Sequence, residues 1–243
     1  MSCLGSVFKR ELKGYFATPV AYVFIVIFLF ITGLFTFQVS HYYEAGQASL
    51  NAFFMWHPWL YLFLIPAVAM RLWAEERKSG TIELLLTLPV TLTAAILGKF
   101  LAAWVFVGIS LVLTFPLVLT SMYLGAPDLG VAVTGYIGSF LMAGAFLAIG
   151  ICMSALTRNQ VVSFILAVVI CLLFVLAGFG VVLDFFTAWA PGLADAIAAV
   201  SFLTHFQSIQ RGVINLPDLL FFASLIVGWL YACGVILEIK KAQ

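Results

Sequence analysis

Six long apolar runs constrain this chain more than any other feature of its sequence. A helix needs roughly 20 mostly apolar residues to cross the hydrocarbon core of a bilayer. Charged residues make up only 9% of the chain, whereas soluble domains carry about 25%. The sequence therefore predicts an all-α integral membrane protein with six transmembrane helices. The predicted spans are Val20 to Ser40, Phe53 to Met70, Phe100 to Leu124, Ala132 to Leu156, Val161 to Leu183 and Leu219 to Leu237.

The basic residues are distributed unequally between the loops that join these spans. Ten of the 11 Lys and Arg residues fall on one side of a six-span arrangement, and Arg211 alone falls on the other. Lys and Arg are enriched in the loops that stay in the cytoplasm. We therefore expect both termini, and the segment that follows span two, to be cytoplasmic.

Two further segments are apolar without being simple spans. Residues 1–19 place apolar side chains at helical spacing between charged ones, which predicts an amphipathic helix lying in the membrane interface. Residues 184–218 are too apolar for a solvated loop and are divided by Pro191-Gly192, which predicts two short re-entrant or interfacial helices before span six. We regard this region as a candidate outer gate, and an interfacial loop with no gating role is the alternative. The candidate gate residues are Pro191, Gly192, Phe202, Phe206, Arg211 and Gly212.

A dense group of charges lies between spans two and three. Six of the 21 charged residues fall within Arg71 to Pro89. The helix of span two is predicted to continue to Lys78 and to stop at Gly80, after which Thr81 caps a short apolar helix with Glu83 in its first turn. Such a segment could rest on lipid headgroups. Its balanced charge favours a protein partner instead, because anionic lipids attract uncompensated basic residues.

The run E-E-R-K-S-G-T-I-E-L-L-L-T-L-P from Glu75 to Pro89 resembles the cytoplasmic motif of ABC-2 type (type V) ABC transporter permeases, and most closely the gliding-motility-type permease. The loop Thr157 to Gln160 and the segments His205 to Val213 and Pro217-Asp218 are similar to the same family. The resemblance implies a cytoplasmic coupling helix after span two that is gripped by a separate ATPase. By position, the implied ATPase-coupling residues are Arg71, Glu75, Glu76, Arg77, Gly80, Thr81 and Glu83, with a lesser contact at Arg158 and Asn159.

The resemblance also implies partners and a location. We expect ABC ATPase subunits that carry ATP and Mg, a second permease copy or a homologous permease, and room for an accessory subunit with a periplasmic domain, all in a bacterial inner membrane. The cargo stays open, as does the choice between export and force transmission. We expect one permease domain over 1–243, comprising an interfacial helix (1–19), spans one and two (20–70), a coupling region (71–99), spans three to five (100–183), the outer gate region (184–218) and span six with its tail (219–243).

Other classes of function find little support in the sequence. There is no G-x-x-x-x-G-K-[ST] phosphate loop, and His41, His57 and His205 are too scattered for a catalytic metal site. We therefore expect no catalytic residue, no metal and no cofactor on this chain, and no nucleic-acid partner. A secondary transporter would place ionisable residues within the spans, where they are essentially missing, and a passive assembly subunit is the other alternative. Gly144, Ala148 and Cys152 form a small-residue face in span four, suited to internal packing or to a permease dimer.

Overall fold

A computed structural model describes residues 3–44, 46, 49–80 and 91–241 of the chain. The described residues form helices joined by short turns, and no β-strand occurs among them, so the all-α prediction is confirmed. The helices, numbered in chain order, are α1 (Cys3–Ala17), α2 (Pro19–Leu34, continued by a π-helical segment over Phe35–Val39), α3 (Asn51–Phe54), α4 (His57–Ala69), α5 (Arg71–Ser79), α6 (Leu92–Val112), α7 (Phe115–Leu124), α8 (Leu129–Leu156), α9 (Gln160–Leu176), α10 (Gly180–Trp189), α11 (Pro191–Ala198), α12 (Phe202–Gln210) and α13 (Leu216–Lys241).

Five helical stretches in the described part of the chain are long and apolar enough to cross a membrane. A sixth arises if α9 and α10, which are bent by 61° relative to each other, count as one span. The structure therefore confirms a polytopic membrane protein and gives it five to six candidate spans, where the sequence predicts six. The five stretches are Pro19–Val39, Asn51–Ser79, Leu92–Leu124, Leu129–Leu156 and Leu216–Lys240.

The start of span three and the end of span five differ from the predicted positions by more residues than the ends of spans one, four and six do. The third stretch begins at Leu92 rather than Phe100, because the apolar residues around Lys99 continue the helix toward the charged segment. The straight part of span five ends at Leu176 rather than Leu183. A side chain at Gly178 would lie 2.0 Å from Ser201 Oγ, so the chain turns there in close contact with the start of α12.

Helix α8 forms the centre of the bundle. It packs against α4, α5, α6, α9, α12 and α13, and its residues from Met142 to Ala155 are buried. A Cβ on Gly144 would lie 3.0 Å from both Trp104 and Ile226, which come from α6 and α13. The small-residue face of span four thus packs against helices of the same chain, which is the first of its two predicted roles.

Gly150 sets the distance between α8 and α4. A Cβ at this position would lie 2.5 Å from Ala69 Cβ, an atom bonded directly to the α4 backbone and therefore unable to rotate away. We expect Gly150→Ala to separate the helices and to reduce stability by about 1–3 kcal/mol, the usual cost of overpacking a core. The melting temperature of the purified chain in detergent measures this effect.

Gly228→Ala in α13 is the matched control for that substitution. Among the described residues, no atom outside the neighbouring turns of its own helix lies within 4 Å of the Cβ it would add, so the same substitution is unhindered there. Because alanine favours helix by up to about 1 kcal/mol over glycine, we expect the control to be neutral or stabilising. A Gly150→Ala protein as stable as the control would show that α4 and α8 do not depend on this close approach.

Residues 184–218 are arranged differently from the prediction of two short helices. The structure has three short helices between Gly180 and Gln210, because α10 begins before the segment and α11 starts afresh at Pro191. Ser201 caps α12 by accepting hydrogen bonds from the backbone N–H groups of Leu203 (3.1 Å) and Thr204 (3.4 Å). The segment is thus made of short, individually terminated helices rather than an irregular loop.

Candidate functional site

The charged segment after α4 begins as a well-defined helix. Helix α5 carries Arg77 and Lys78 in its last turn, where the helix dipole favours positive charge. It ends at Ser79, and Gly80 follows with φ of +73°, a left-handed conformation that glycine adopts without strain. The stop predicted at Gly80 is therefore present. Thr81 and Glu83, with the rest of 81–90, lie outside the described residues.

Ser154 of α8 occupies the break between α4 and α5. Its Oγ accepts hydrogen bonds from the backbone N–H groups of Trp73 and Ala74, each at 3.0 Å, and donates one to the Met70 carbonyl at 2.9 Å. In a continuous helix those two N–H groups would bond to carbonyls four residues earlier. A single buried side chain thus satisfies the backbone at the break and attaches α5 to α8.

The last carbonyl groups of α8 are bound by basic side chains from two other helices. Arg77 Nη1 donates to the Ala155 carbonyl at 2.6 Å, and Lys240 Nζ of α13 donates to the Leu156 carbonyl. These carbonyls lack partners within their own helix, and positive charge is favoured at a helix C-terminus. Arg158 lies near both cations and repels them. The end of α8 is therefore the meeting point of α5, α13 and the loop that leads to α9.

Lys99 joins three helices through buried ion pairs. Its side chain is 2% exposed, and its Nζ lies 2.8 Å from Glu76 Oε1 of α5 and 3.3 Å from Glu11 Oε1 of α1. The ammonium also lies 5.2 Å from the centroid of the Trp73 ring, within range of a cation–π interaction. The sequence predicts Lys99 as the last residue of the coupling region (71–99), whereas the structure places it inside α6.

Glu11 shows the electrostatic effect of this cluster. Burial alone would raise the pKa of its carboxyl group, but the Lys99 ammonium and a 2.6 Å hydrogen bond from Arg10 favour the charged form more strongly. The net result is a pKa below the ordinary value of 4.5. Glu11 therefore remains a carboxylate at neutral pH and holds α1 against α6.

The residues predicted to contact an ATPase fall into two groups. Arg71, Glu75 and Arg158 are half-buried or exposed. Arg71 and Glu75 form a long ion pair of 3.8 Å with each other. Glu76 and Arg77 are bound to Lys99 and to the end of α8. Asn159 is exposed and caps α9 by accepting the Val161 N–H at 2.9 Å. The structure thus brings the residues of both predicted ATPase contacts to one end of the bundle. Glu76, Arg77 and Asn159 bind groups of this chain there and hold its helices in place.

The candidate gate residues lie between residues 191 and 212, away from the charged helix in the sequence, and they differ strongly in burial. Phe202 and Phe206 are fully buried, and the ring of Phe202 lies 4.8 Å from that of Phe146 in α8. Pro191, Gly192 and Arg211 are exposed. Gly212 has a φ of +91°, and a Cβ there would lie 3.1 Å from Val131 Cγ2. The structure therefore brings the two phenylalanines into the core, leaves Pro191 and Gly192 at the start of α11, and leaves Arg211 and Gly212 at the turn after α12.

A polar network beside Phe206 was not predicted as a site. His205 Nδ1 lies 2.7 Å from Asp218 Oδ1, its Nε2 donates to the Ala199 carbonyl at 3.0 Å, and Ser208 donates to Asp218 Oδ2 at 2.7 Å. Asp218 is buried although it lies at the start of α13. The network ties α12 to α13. The sequence had marked both segments, His205 to Val213 and Pro217-Asp218, through their resemblance to the family but had not indicated that their side chains bind each other.

Comparison with known proteins gives a family. The model of the family described as ABC-2 family transporter protein matches residues 13–178. The match covers only the last residues of α1, but it includes the charged helix α5, the central helix α8 and all of α9, and it ends at the turn before α10. No curated protein matches the chain.

Proposed function

Because this chain belongs to the ABC-2 family of transporter proteins, a family of membrane permease components, we propose that it is a permease subunit driven by ATP hydrolysis on a separate ABC ATPase. The observation that carries the proposal is the attachment of α5. This charged helix is fixed to α8 through Ser154 and Arg77 and to α6 through Glu76 and Lys99. A helix held in this way moves together with the bundle when it is pushed.

The proposed mechanism uses α5 as a lever. Closure of the ATP-bound partner would press on the segment from Arg71 to Pro89 and displace α5. The hydrogen bonds to Ser154 and to the Ala155 carbonyl pass that displacement to α8. Since α8 also packs against α12 and α13, the motion reaches the region of 184–218 and changes its arrangement there.

Different residues carry different parts of this role. We propose that Arg71, Glu75, Glu83 and Arg158 contact the ATPase directly and that Gly80 and Thr81 set the turn between α5 and the coupling helix. Glu76, Arg77 and Asn159 are positioning residues in this scheme, because their side chains already bind groups of this chain. ATP and Mg belong to the partner, and no residue of this chain carries out chemistry.

The wider assembly is proposed from the family resemblance. It contains two permease halves, either two copies of this chain or this chain with a homologue, and it lies in a bacterial inner membrane with both termini of each half in the cytoplasm. We place the chain with the gliding-motility type, in which an accessory subunit with a periplasmic domain fits the scheme. The apolar span surfaces favour a lipid-like cargo or direct force transmission. A secondary transporter or a passive assembly subunit is the alternative function.

The first test asks whether an ATPase binds this chain through the charged segment. The tagged chain is purified from native membranes in mild detergent, and mass spectrometry identifies the proteins that co-elute. We expect a phosphate-loop ATPase with the natural chain and its loss from the double variant Glu75→Lys, Glu83→Lys. Glu76 is left unchanged, because reversing its charge would break the contact with Lys99 and disturb the fold.

Glu44→Lys is the matched control for charge reversal. Glu44 is 79% exposed and pairs with His41 in the turn after the first span, away from α5. We expect this variant to retain the ATPase. If no ATPase co-elutes with a folded natural chain, the proposal fails and the alternative function is favoured; if both variants retain it, the contact lies elsewhere on the chain.

A further inference from the structure

A cavity of about 240 Å³ opens between α1 and the start of α5. It exceeds the cavity of about 150 Å³ that holds benzene in an engineered protein core, so a group somewhat larger than benzene fits. Unlike the apolar grooves elsewhere on the bundle, its walls are rich in charge. The lining residues are Glu11, Gly14, Tyr15, Val68, Arg71, Leu72, Glu75, Glu76 and Lys99.

Tyr15 lines this cavity, and its hydroxyl group has no hydrogen-bond partner among the described residues. It is fully buried, while the ring is fixed by stacking on Phe106 with centroids 4.9 Å apart. The Glu11 carboxylate and the Arg71 guanidinium are close enough to act on it electrostatically. Because a buried hydroxyl without a partner is costly, this group is suited to bind a polar ligand.

The charges in the wall determine which ligand fits. Three carboxylates and two basic groups line the cavity, so an anion alone would meet an excess of negative charge. Lys99 is already bound by Glu11 and Glu76. In the chain without its ATPase, this leaves the Arg71 guanidinium for a phosphate and the Glu75 carboxylate for a cation, so a ligand here would compete with the ATPase for these two side chains. The ion pair between Arg71 and Glu75 is long, at 3.8 Å, and therefore weak. Both side chains reach the surface, being 35% and 60% exposed. A ligand with adjacent phosphate and ammonium groups satisfies both.

The cavity lies where the chain enters the membrane. Helix α1 packs on the bundle through Leu12, Tyr15 and Phe16 and leads directly into the first span at Pro19. Its basic residues Lys9 and Lys13 face away from the bundle and are exposed. Phospholipid headgroups lie at this level of an amphipathic interfacial helix.

We propose that this cavity binds a phosphoethanolamine group, with the phosphate on Arg71, the ammonium on Glu75 and a phosphate oxygen accepting the Tyr15 hydroxyl hydrogen. A primary ammonium donates hydrogen bonds to carboxylates, whereas the quaternary ammonium of phosphocholine has no N–H to donate. A headgroup with phosphate and glycerol adds negative charge without a cation. The site therefore selects the ethanolamine group among common phospholipid headgroups.

The test compares short-chain lipids with the same acyl chains and different headgroups. Binding of dihexanoyl phosphatidylethanolamine, phosphatidylcholine and phosphatidylglycerol to the purified full chain is measured by native mass spectrometry, with no ATPase present. We expect the ethanolamine lipid to bind about tenfold more tightly than the other two, since a charge-assisted hydrogen bond accounts for such a ratio. Tyr15→Phe and Glu75→Gln should each weaken its binding by about fivefold.

Tyr231→Phe is the control, because this tyrosine is 75% exposed and borders a different groove, between α6 and α13. It should leave binding unchanged, and melting temperatures verify that each variant is folded. The proposal is overturned if the three lipids bind with equal affinity. It is also overturned if neither Tyr15→Phe nor Glu75→Gln weakens the binding of the ethanolamine lipid. Free phosphoethanolamine that displaces the lipid identifies a soluble source for the same group, and binding of the lipid alone identifies the membrane. Neither result depends on ATP coupling.

Discussion

Replacing Lys99 with methionine is expected to cost about 3–5 kcal/mol of stability, the usual effect of removing one partner from a buried ion pair. Methionine fills similar space, so the loss comes from charge rather than from a cavity. The Glu76 carboxylate loses an ammonium at 2.8 Å and the Glu11 carboxylate loses one at 3.3 Å. The three helices that meet at Lys99 should then separate at a lower temperature, which a melting curve of the purified chain measures.

The double variant Lys99→Met, Glu76→Gln separates charge from packing. Removing the carboxylate that lost its ammonium should recover part of the stability, because a neutral amide is less costly to bury than a charge. Glu44→Gln removes half of an exposed ion pair with His41 and should change stability by less than about 0.5 kcal/mol. If Lys99→Met has the same melting temperature as the natural chain and the control, the ion pairs of Lys99 do not hold the three helices together.

The spans could be predicted from the sequence because a bilayer imposes a length and an apolar composition on every crossing helix. Each such helix can be predicted from its own residues. The same holds for the stop at Gly80, since glycine adopts a left-handed conformation without strain. The bend in span five could not be read in the same way. It depends on the contact between Gly178 and Ser201, residues that are far apart in the chain.

The candidate site, like the fold, could be predicted only in those features that depend on neighbouring residues. Its position on the charged helix was visible as a local concentration of charge, but the partners of those charges were not. Lys99 is one basic residue in an apolar helix, and its burial depends on carboxylates from α1 and α5 that meet only in the folded chain. Ser154 looks like an ordinary small residue of a transmembrane helix until the break at Met70 is placed beside it.

Ser154→Ala is expected to weaken the coupling between α5 and the bundle. The substitution leaves the buried backbone N–H groups of Trp73 and Ala74 without their acceptor, at a cost of about 1–3 kcal/mol for each unsatisfied group. The chain escapes part of that cost only if α4 and α5 straighten into one helix, which moves α5 away from its present direction. Reconstituted with its ATPase, the variant should show at least a tenfold loss of coupled activity, since about 1.4 kcal/mol changes a conformational equilibrium tenfold.

Ser163→Ala provides the same substitution at a neutral place. Ser163 is buried in α9, and its hydroxyl has no hydrogen-bond partner among the described residues. Removing that hydroxyl should preserve or slightly raise stability and leave coupled activity unchanged, because no backbone group depends on it. If Ser154→Ala behaves like Ser163→Ala in both measurements, the break between α4 and α5 does not need the serine, and α5 must transmit force to α8 through Arg77 and direct packing. If Ser154→Ala binds the ATPase normally but loses coupled activity, the fault lies in transmission rather than in docking, as the lever mechanism requires.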